Sequence, residues 1–306
     1  MKRRNFIIKT AQASAAITFS TINYAFSTKE KELFFEISLA EWSLHRSLFA
    51  NKINHLDFAN IAKKSGCNGV EYVNRFFFDK AKNISYLNEM NRRANTEGVE
   101  NVLIMIDREG SIADKNTKKR NQTIENHYKW IDAAHRLGCH AIRVNLRGNG
   151  TKLEVAKSGI ESLTKLSEYA QGSNINILVE NHGGLSSNGE WMKEVFSQIK
   201  SPNCGILPDF GNFCISHNTF NKCIEEYDRY KGIQELLPFA KAVSAKSSVF
   251  NKNGDESKID YYRIMKMVKD SGYRGFIGIE YEGSQHDEIK GIELTRNLLI
   301  KAGKQA

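Results

Sequence analysis

The amino-acid sequence predicts a single (β/α)8 barrel behind a short export segment. Three observations carry that prediction. Short β-rich runs alternate with helical patterns from end to end, there are eight such runs, and most are continuous apolar stretches. Continuous apolar strands are expected where a parallel sheet is covered by helices. The runs are Phe34–Leu39, Gly69–Val73, Asn101–Ile106, Ala141–Leu146, Ile175–Glu180, Gly205–Asp209, Ala242–Lys246 and Phe276–Tyr281. They start roughly 30–40 residues apart, close to the ~30 residues of a βαβ unit.

The intervening stretches read as helices. Ala156, Ile160, Leu163, Leu166 and Ala170 recur at helical spacing, as do Ile264, Met267 and Val268. The pairs Ser65-Gly66, Leu137-Gly138 and Ser271-Gly272 precede strands and mark left-handed helix caps. An open doubly wound sheet would more often carry a Gly-rich turn after the first strand. Here that strand runs into Ala40-Glu41-Trp42-Ser43-Leu44-His45, with no such turn.

The chain has 306 residues, three prolines and no Gly/Ser linker, which favours one domain. Residues 1–27 are set apart. Lys2, Arg3, Arg4 and Lys9 precede a weakly apolar, Ala/Ser/Thr-rich stretch from Ala11 to Ala25. That is the layout of a secretory signal, and Arg3-Arg4-Asn5-Phe6-Ile7-Ile8-Lys9 resembles a twin-arginine (Tat-type) motif. The expected mature domain is 28–306, placed in the periplasm after cleavage behind Ser27, or membrane-anchored if the signal is retained. The stretch is too short and too polar for a stable membrane span. Its four positive charges leave +5 of the net +9 for the rest. The remaining basic residues are scattered, so nucleic acid is not an expected partner. The oligomeric state is left open.

Five cysteines, without a CxxC pair, argue against a disulfide framework or zinc knuckle. Cys67, Cys139 and Cys204 precede strands and read as small buried hydrophobes. Free thiols are the expectation.

In such a barrel the active site lies at the C-terminal strand ends. Those ends are polar here. They carry Glu71 and Asn74, Arg143 and Asn145, Glu180-Asn181-His182-Gly183-Gly184, Asp209-Phe210-Gly211-Asn212, Ser244 and Lys246, and Glu280-Tyr281-Glu282-Gly283. Glu180, Asp209 and Glu280 end neighbouring strands. Three carboxylates in one low-dielectric mouth repel each other unless a divalent cation stabilises them, and an oxygen-rich set suits Mg²⁺ or Mn²⁺.

The motifs Val179-Glu180-Asn181-His182-Gly183-Gly184, Leu207-Pro208-Asp209-Phe210-Gly211-Asn212-Phe213 and Gly278-Ile279-Glu280-Tyr281-Glu282-Gly283 resemble those of the sugar phosphate isomerase/epimerase family, a xylose-isomerase-like barrel type. The resemblance spans about residues 34–303. It implies one divalent metal (Mn²⁺ or Mg²⁺) held by Glu180, Asp209, Glu280 and the position of Ser244, where a histidine is usual. Lys246 matches a lysine that commonly follows that histidine. Water or His182 would complete the shell, or the metal is weak or absent.

The resemblance further implies a carbohydrate substrate and proton transfer through an enediolate, with Glu180, Glu280 and Lys246 catalytic. Trp42, His45, Glu71, Asn145, His182, Asn212 and Glu282 are the candidate substrate contacts. Three alternatives stay open. They are a metal-dependent lyase or dehydratase on a keto-sugar or keto-glycoside, a non-catalytic sugar-binding barrel, and a phosphodiesterase sharing the barrel. No dedicated phosphate cradle is visible.

Overall fold

The structure, a computed structural model, describes residues 32–220 and 222–306; the export segment inferred at 1–27 lies outside the described residues. The strands are β1 (Glu36–Ala40), β2 (Gly69–Val73), β3 (Glu100–Met105), β4 (Ala141–Val144), β5 (Asn176–Glu180), β6 (Cys204–Leu207), β7 (Cys214–His217), β8 (Cys223–Glu226), β9 (Val243–Ser247) and β10 (Phe276–Tyr281). The helices are α1 (His45–Phe49), α2 (Phe58–Lys64), α3 (Ile84–Glu97), α4 (Thr117–Leu137), α5 (Lys152–Gln171), α6 (Gly189–Gln198), α7 (Arg229–Leu236), α8 (Tyr261–Asp270) and α9 (Glu288–Gln305).

Eight strands form one parallel sheet in the order β6-β5-β4-β3-β2-β1-β10-β9. Its outer strands approach each other through the parallel bridges Ile206↔Ala240 and Asp209↔Ser244, which close the barrel. All eight expected strands are present, with no end shifted by more than two residues.

Period-two alternation sorts the side chains. Ile37, Leu39, Val70, Tyr72, Ile104, Ile142, Ile177, Val179, Val243, Ile277 and Ile279 pack outward among the helices. Ala40, Val73, Leu103, Met105, Ala141, Leu178, Leu207 and Ala242 form a second, smaller cluster inside the barrel. The inward positions of β4, β5, β9 and β10 that continue this alternation are Arg143, Glu180, Ser244, Lys246 and Glu280, all buried.

Every helix named above except α1 and α2 starts on a side-chain cap. Asn83, Asn116, Thr151, Asn188, Asp228, Asp260 and Asp287 each accept a first-turn backbone N–H, and Thr151 with Glu154 forms a full capping box. Gly66, Gly138 and Gly272 adopt positive φ as expected. Among the described residues no helix is long and apolar enough to cross a membrane.

One expectation is overturned. Cys214 and Cys223 are joined by a disulfide, while Cys67, Cys139 and Cys204 are free. The loop after β6 folds into the antiparallel hairpin β7–β8, and that pairing brings together two cysteines nine residues apart.

Candidate active site at the barrel mouth

Glu180 ends β5, Asp209 lies just beyond β6, and Glu280 sits on β10. One carboxylate oxygen from each lies within 4.8 Å of the others. The backbone fixes Asp209 closely. Asn181 donates from Nδ2 to the Asp209 carbonyl (2.9 Å), and its Oδ1 accepts the Asp209 N–H (2.7 Å). Asp209 Oδ1 in turn accepts the N–H groups of Gly211 and Asn212, both at 2.8 Å.

Ser244 Oγ donates to Asp209 Oδ2 at 2.7 Å and lies 3.1 Å from Glu280 Oε2, so it bridges two of the three acids. Lys246 Nζ is 3.1 Å from Glu280 Oε2, 3.2 Å from Glu282 Oε2 and 4.0 Å from Asp209 Oδ2. Asn212 Nδ2 donates to Glu180 Oε1 at 3.1 Å. Arg143 Nε approaches Glu180 Oε2 to 2.9 Å but out of line for a hydrogen bond, which leaves that buried oxygen without one. Arg143 Nη1 pairs with Asp107 Oδ1 at 3.1 Å.

Electrostatics follow from burial. It pushes Glu180 up to about 7, with Glu280 adding to the rise and Arg143 and Lys246 opposing it. It pushes Asp209 up to about 7 as well, opposed by Lys246 and Ser244 and reinforced by Glu180 and Glu280. Burial works against the Lys246 ammonium, but Glu280, Asp209, Glu282 and Glu180 outweigh it and hold its pKa well above the usual lysine value. The acids thus repel one another in a site shielded from water, and a cation lowers that cost.

The structure gathers Glu180, Asp209, Glu280, Ser244, Lys246, Asn212 and Glu282 at one mouth. Trp42 joins the rim, where its Nε1 donates to Glu282 Oε1 at 2.5 Å. His45 stacks behind Trp42 with centroids 4.8 Å apart, and its Nδ1 is 2.7 Å from the Trp42 carbonyl. His182 and Asn145 form a neighbouring pair, Nδ1 to Oδ1 at 2.8 Å, and Asn145 Nδ2 donates to Asp107 at 3.0 Å.

Glu71 lies one layer deeper than the mouth. Ser38 Oγ donates to its Oε1 at 2.5 Å, and burial, foremost, pushes it up to about 8. Sequence reasoning passed over the roles of Arg143 and Asp107. The signal for Arg143 was a charged residue in the apolar Ala-Ile-Arg-Val strand, on the inward parity shared with Glu180. Asp107 carried none, because it follows the end of β3.

An eight-stranded α/β barrel with a buried carboxylate cluster at its C-terminal mouth is what fold and site define. The chain belongs to the xylose isomerase-like TIM barrel family, whose model matches residues 59–302. A relative, an uncharacterized protein of Methanocaldococcus jannaschii, is 26% identical over 245 residues, covering 76% of this chain and 78% of that one. Among solved structures, the IOLI protein with a bound zinc atom superposes with a TM-score of 0.68 at 14% identity, over 87% of this chain and 97% of that one. The 3-keto-D-glucoside 4-epimerase YcjR from E. coli, in apo form, gives 0.65 at 13% identity, over 88% and 99%. The two structural likenesses are of fold.

Proposed function

We propose that the chain is a divalent-metal-dependent isomerase or epimerase that moves a proton on a sugar or sugar derivative. The observation that carries the reading is the convergence of Glu180, Asp209 and Glu280, one of them with a buried oxygen lacking a hydrogen bond. These residues fit a cation, with Ser244 Oγ beside two of them as a neutral donor. The all-oxygen set favours Mg²⁺ or Mn²⁺ over Zn²⁺, and Zn²⁺, the ion of one structural neighbour, is the comparison. When bound, the ion supplies Lewis-acid polarisation of a substrate carbonyl.

The chain's own residues account for the proton. Glu180 and Glu280 are the candidate bases flanking the reacting carbon. A carboxyl that titrates near neutrality both accepts and returns a proton, as the pKa of Glu180 near 7 allows. Lys246 remains an ammonium and stabilises negative charge developing on the substrate oxygens. Trp42 and Glu282 form the rim against which the sugar is held.

The test is solvent-deuterium incorporation next to the carbonyl of keto-sugars, with Mn²⁺, Mg²⁺ or Zn²⁺ added. The parent protein is expected to exchange that proton, with Glu180→Gln and Glu280→Gln at least a hundredfold slower, the low end for a general base. No exchange by the parent on any keto-sugar would sink the reading.

We also propose that residues 1–27 direct export. The Cys214–Cys223 bond supports this, since disulfides persist in oxidising compartments. Fractionation that finds a full-length cytoplasmic product would overturn it.

A further inference from the structure

A groove of about 460 Å³ opens on the same end of the barrel, beside the acidic mouth. It is lined by the loops after β3, β4 and β5, by one residue of α5, and by His217 of the β7–β8 hairpin. His182 belongs to both places. It lines the groove, and through Asn145, Asp107 and Arg143 it is linked to Glu180.

The two places differ in charge. The mouth is dominated by carboxylates, whereas among the described residues no acidic side chain lines the groove and Arg147 is its one charged lining residue. Arg147 is held by its backbone: its carbonyl accepts the Ala113 N–H at 2.9 Å, and its N–H donates to the Asn145 carbonyl at 2.9 Å. Next to it, Gly148 lets the two loops touch, because an added Cβ would stand 2.0 Å from the Ala113 carbonyl oxygen.

The guanidinium uses only Nη2, which donates to the His182 carbonyl at 3.1 Å and lies 3.1 Å from that ring's Nδ1. Of its five N–H donors the rest have no acid opposite them among the described residues, unlike Arg143 with Asp107 and Glu180. Across from it, Gly183 and Gly184 leave open space, with nothing within 4 Å of where a Cβ would stand. A fixed, exposed arginine fork over an open groove matches a planar carboxylate with two parallel hydrogen bonds.

We propose that this groove is a subsite for an anionic group on the far part of the substrate, foremost the carboxylate of a uronic acid. Arg147 is its charge partner, with His217 and Asn149 as hydrogen-bonding neighbours. The proposal rests on the reading of the mouth as a sugar site and narrows its substrate to acidic saccharides. Sequence alone did not show the groove, because it draws on four separate loops.

Calorimetric titration with glucuronate, glucose 6-phosphate, inorganic phosphate and methyl glucoside tests it on the Mn²⁺-loaded protein, with Arg147→Gln and His217→Ala alongside. Glucuronate is expected to bind at least tenfold more tightly than methyl glucoside. That preference should vanish in Arg147→Gln and shrink severalfold in His217→Ala, with Mn²⁺ affinity unchanged in both. Tighter binding of glucose 6-phosphate than of glucuronate, again lost in Arg147→Gln, would keep the anion subsite and replace the carboxylate with a phosphate ester. Equal binding of charged and neutral sugars, or a preference that survives Arg147→Gln, would overturn the subsite and leave the sugar reading standing. Arg147-dependent binding of inorganic phosphate with no binding of any sugar would keep the anion subsite and overturn the sugar reading.

Discussion

Gly278 is a glycine because Glu71 crosses the lumen in front of it: a Cβ there would stand 2.4 Å from Glu71 Oε1. Gly278→Ala should therefore cost about 1–3 kcal/mol through overpacking. Most of that cost should disappear in a Glu71→Ala background, and urea denaturation of the four proteins measures the coupling. Glu71 itself titrates upward, to about 8, so the folded state holds a proton that the unfolded chain releases near pH 4–5. Its contribution to stability then falls as pH rises from there to about 8. Glu71→Gln lacks that slope, so the parent should lose stability relative to this variant across the interval; parallel curves would show that Glu71 is already ionised. Ser244→His places an imidazole where a hydroxyl bridges Asp209 and Glu280, and Mn²⁺ titration should show tighter binding. Glu180, Asp209 and Glu280 were legible in the sequence because each closes an apolar run. Glu71 was legible as an acid in a strand but not as a deeper one, since depth depends on how strands shear past each other. Arg147 carried no signal, as its role depends on which loops meet it.

At the scale of elements, the glycine caps and the eight strands could be read directly, because a glycine before a strand and an apolar run are local signals. The β7–β8 hairpin could not. Its strands, Cys-Ile-Ser-His and Cys-Ile-Glu-Glu, are four residues long, lie on the surface and alternate with no apolar face. The odd cysteine count then hid a single pair among three free thiols. Closing a loop on the order of 10 residues contributes about 3 kcal/mol by chain entropy, and that gain belongs to the hairpin more than to the barrel. Reduction, or Cys214→Ser with Cys223→Ser, should leave the main unfolding transition nearly in place and speed trypsin cleavage at the already exposed Lys222 by loosening the hairpin. Equal proteolysis of oxidised and reduced protein would show that the hairpin holds without the bond.

For the whole molecule, cation binding and proton release are coupled. Glu180 and Asp209 both titrate near 7 without a metal, and a ligand carboxylate must be ionised. Metal affinity should fall as pH drops below about 7, and binding at pH 6 should release one to two protons, seen as a dependence of the calorimetric heat on buffer ionisation enthalpy. Metal affinity constant from pH 5 to 8 would mean that Arg143 and Lys246 already keep both acids charged.

The barrel also has an unequal circumference. Neighbouring strands elsewhere share three to five paired residues, such as β9 with β10 from Val243 to Ser247, but β6 meets β9 only at Ile206↔Ala240 and Asp209↔Ser244. Asp209 stands on one side of this seam, and Ser244, Lys246 and Glu280 on the other. A cation held by Asp209 and Glu280 would act as a rivet across the weakest join of the cylinder. Saturating Mg²⁺ should then slow amide hydrogen exchange selectively at residues 204–212 and 240–247, where Phe210 and Ser244 donate across the seam at 3.0 and 2.9 Å. Breathing of the barrel and occupancy of its mouth would be one equilibrium, observed from two sides.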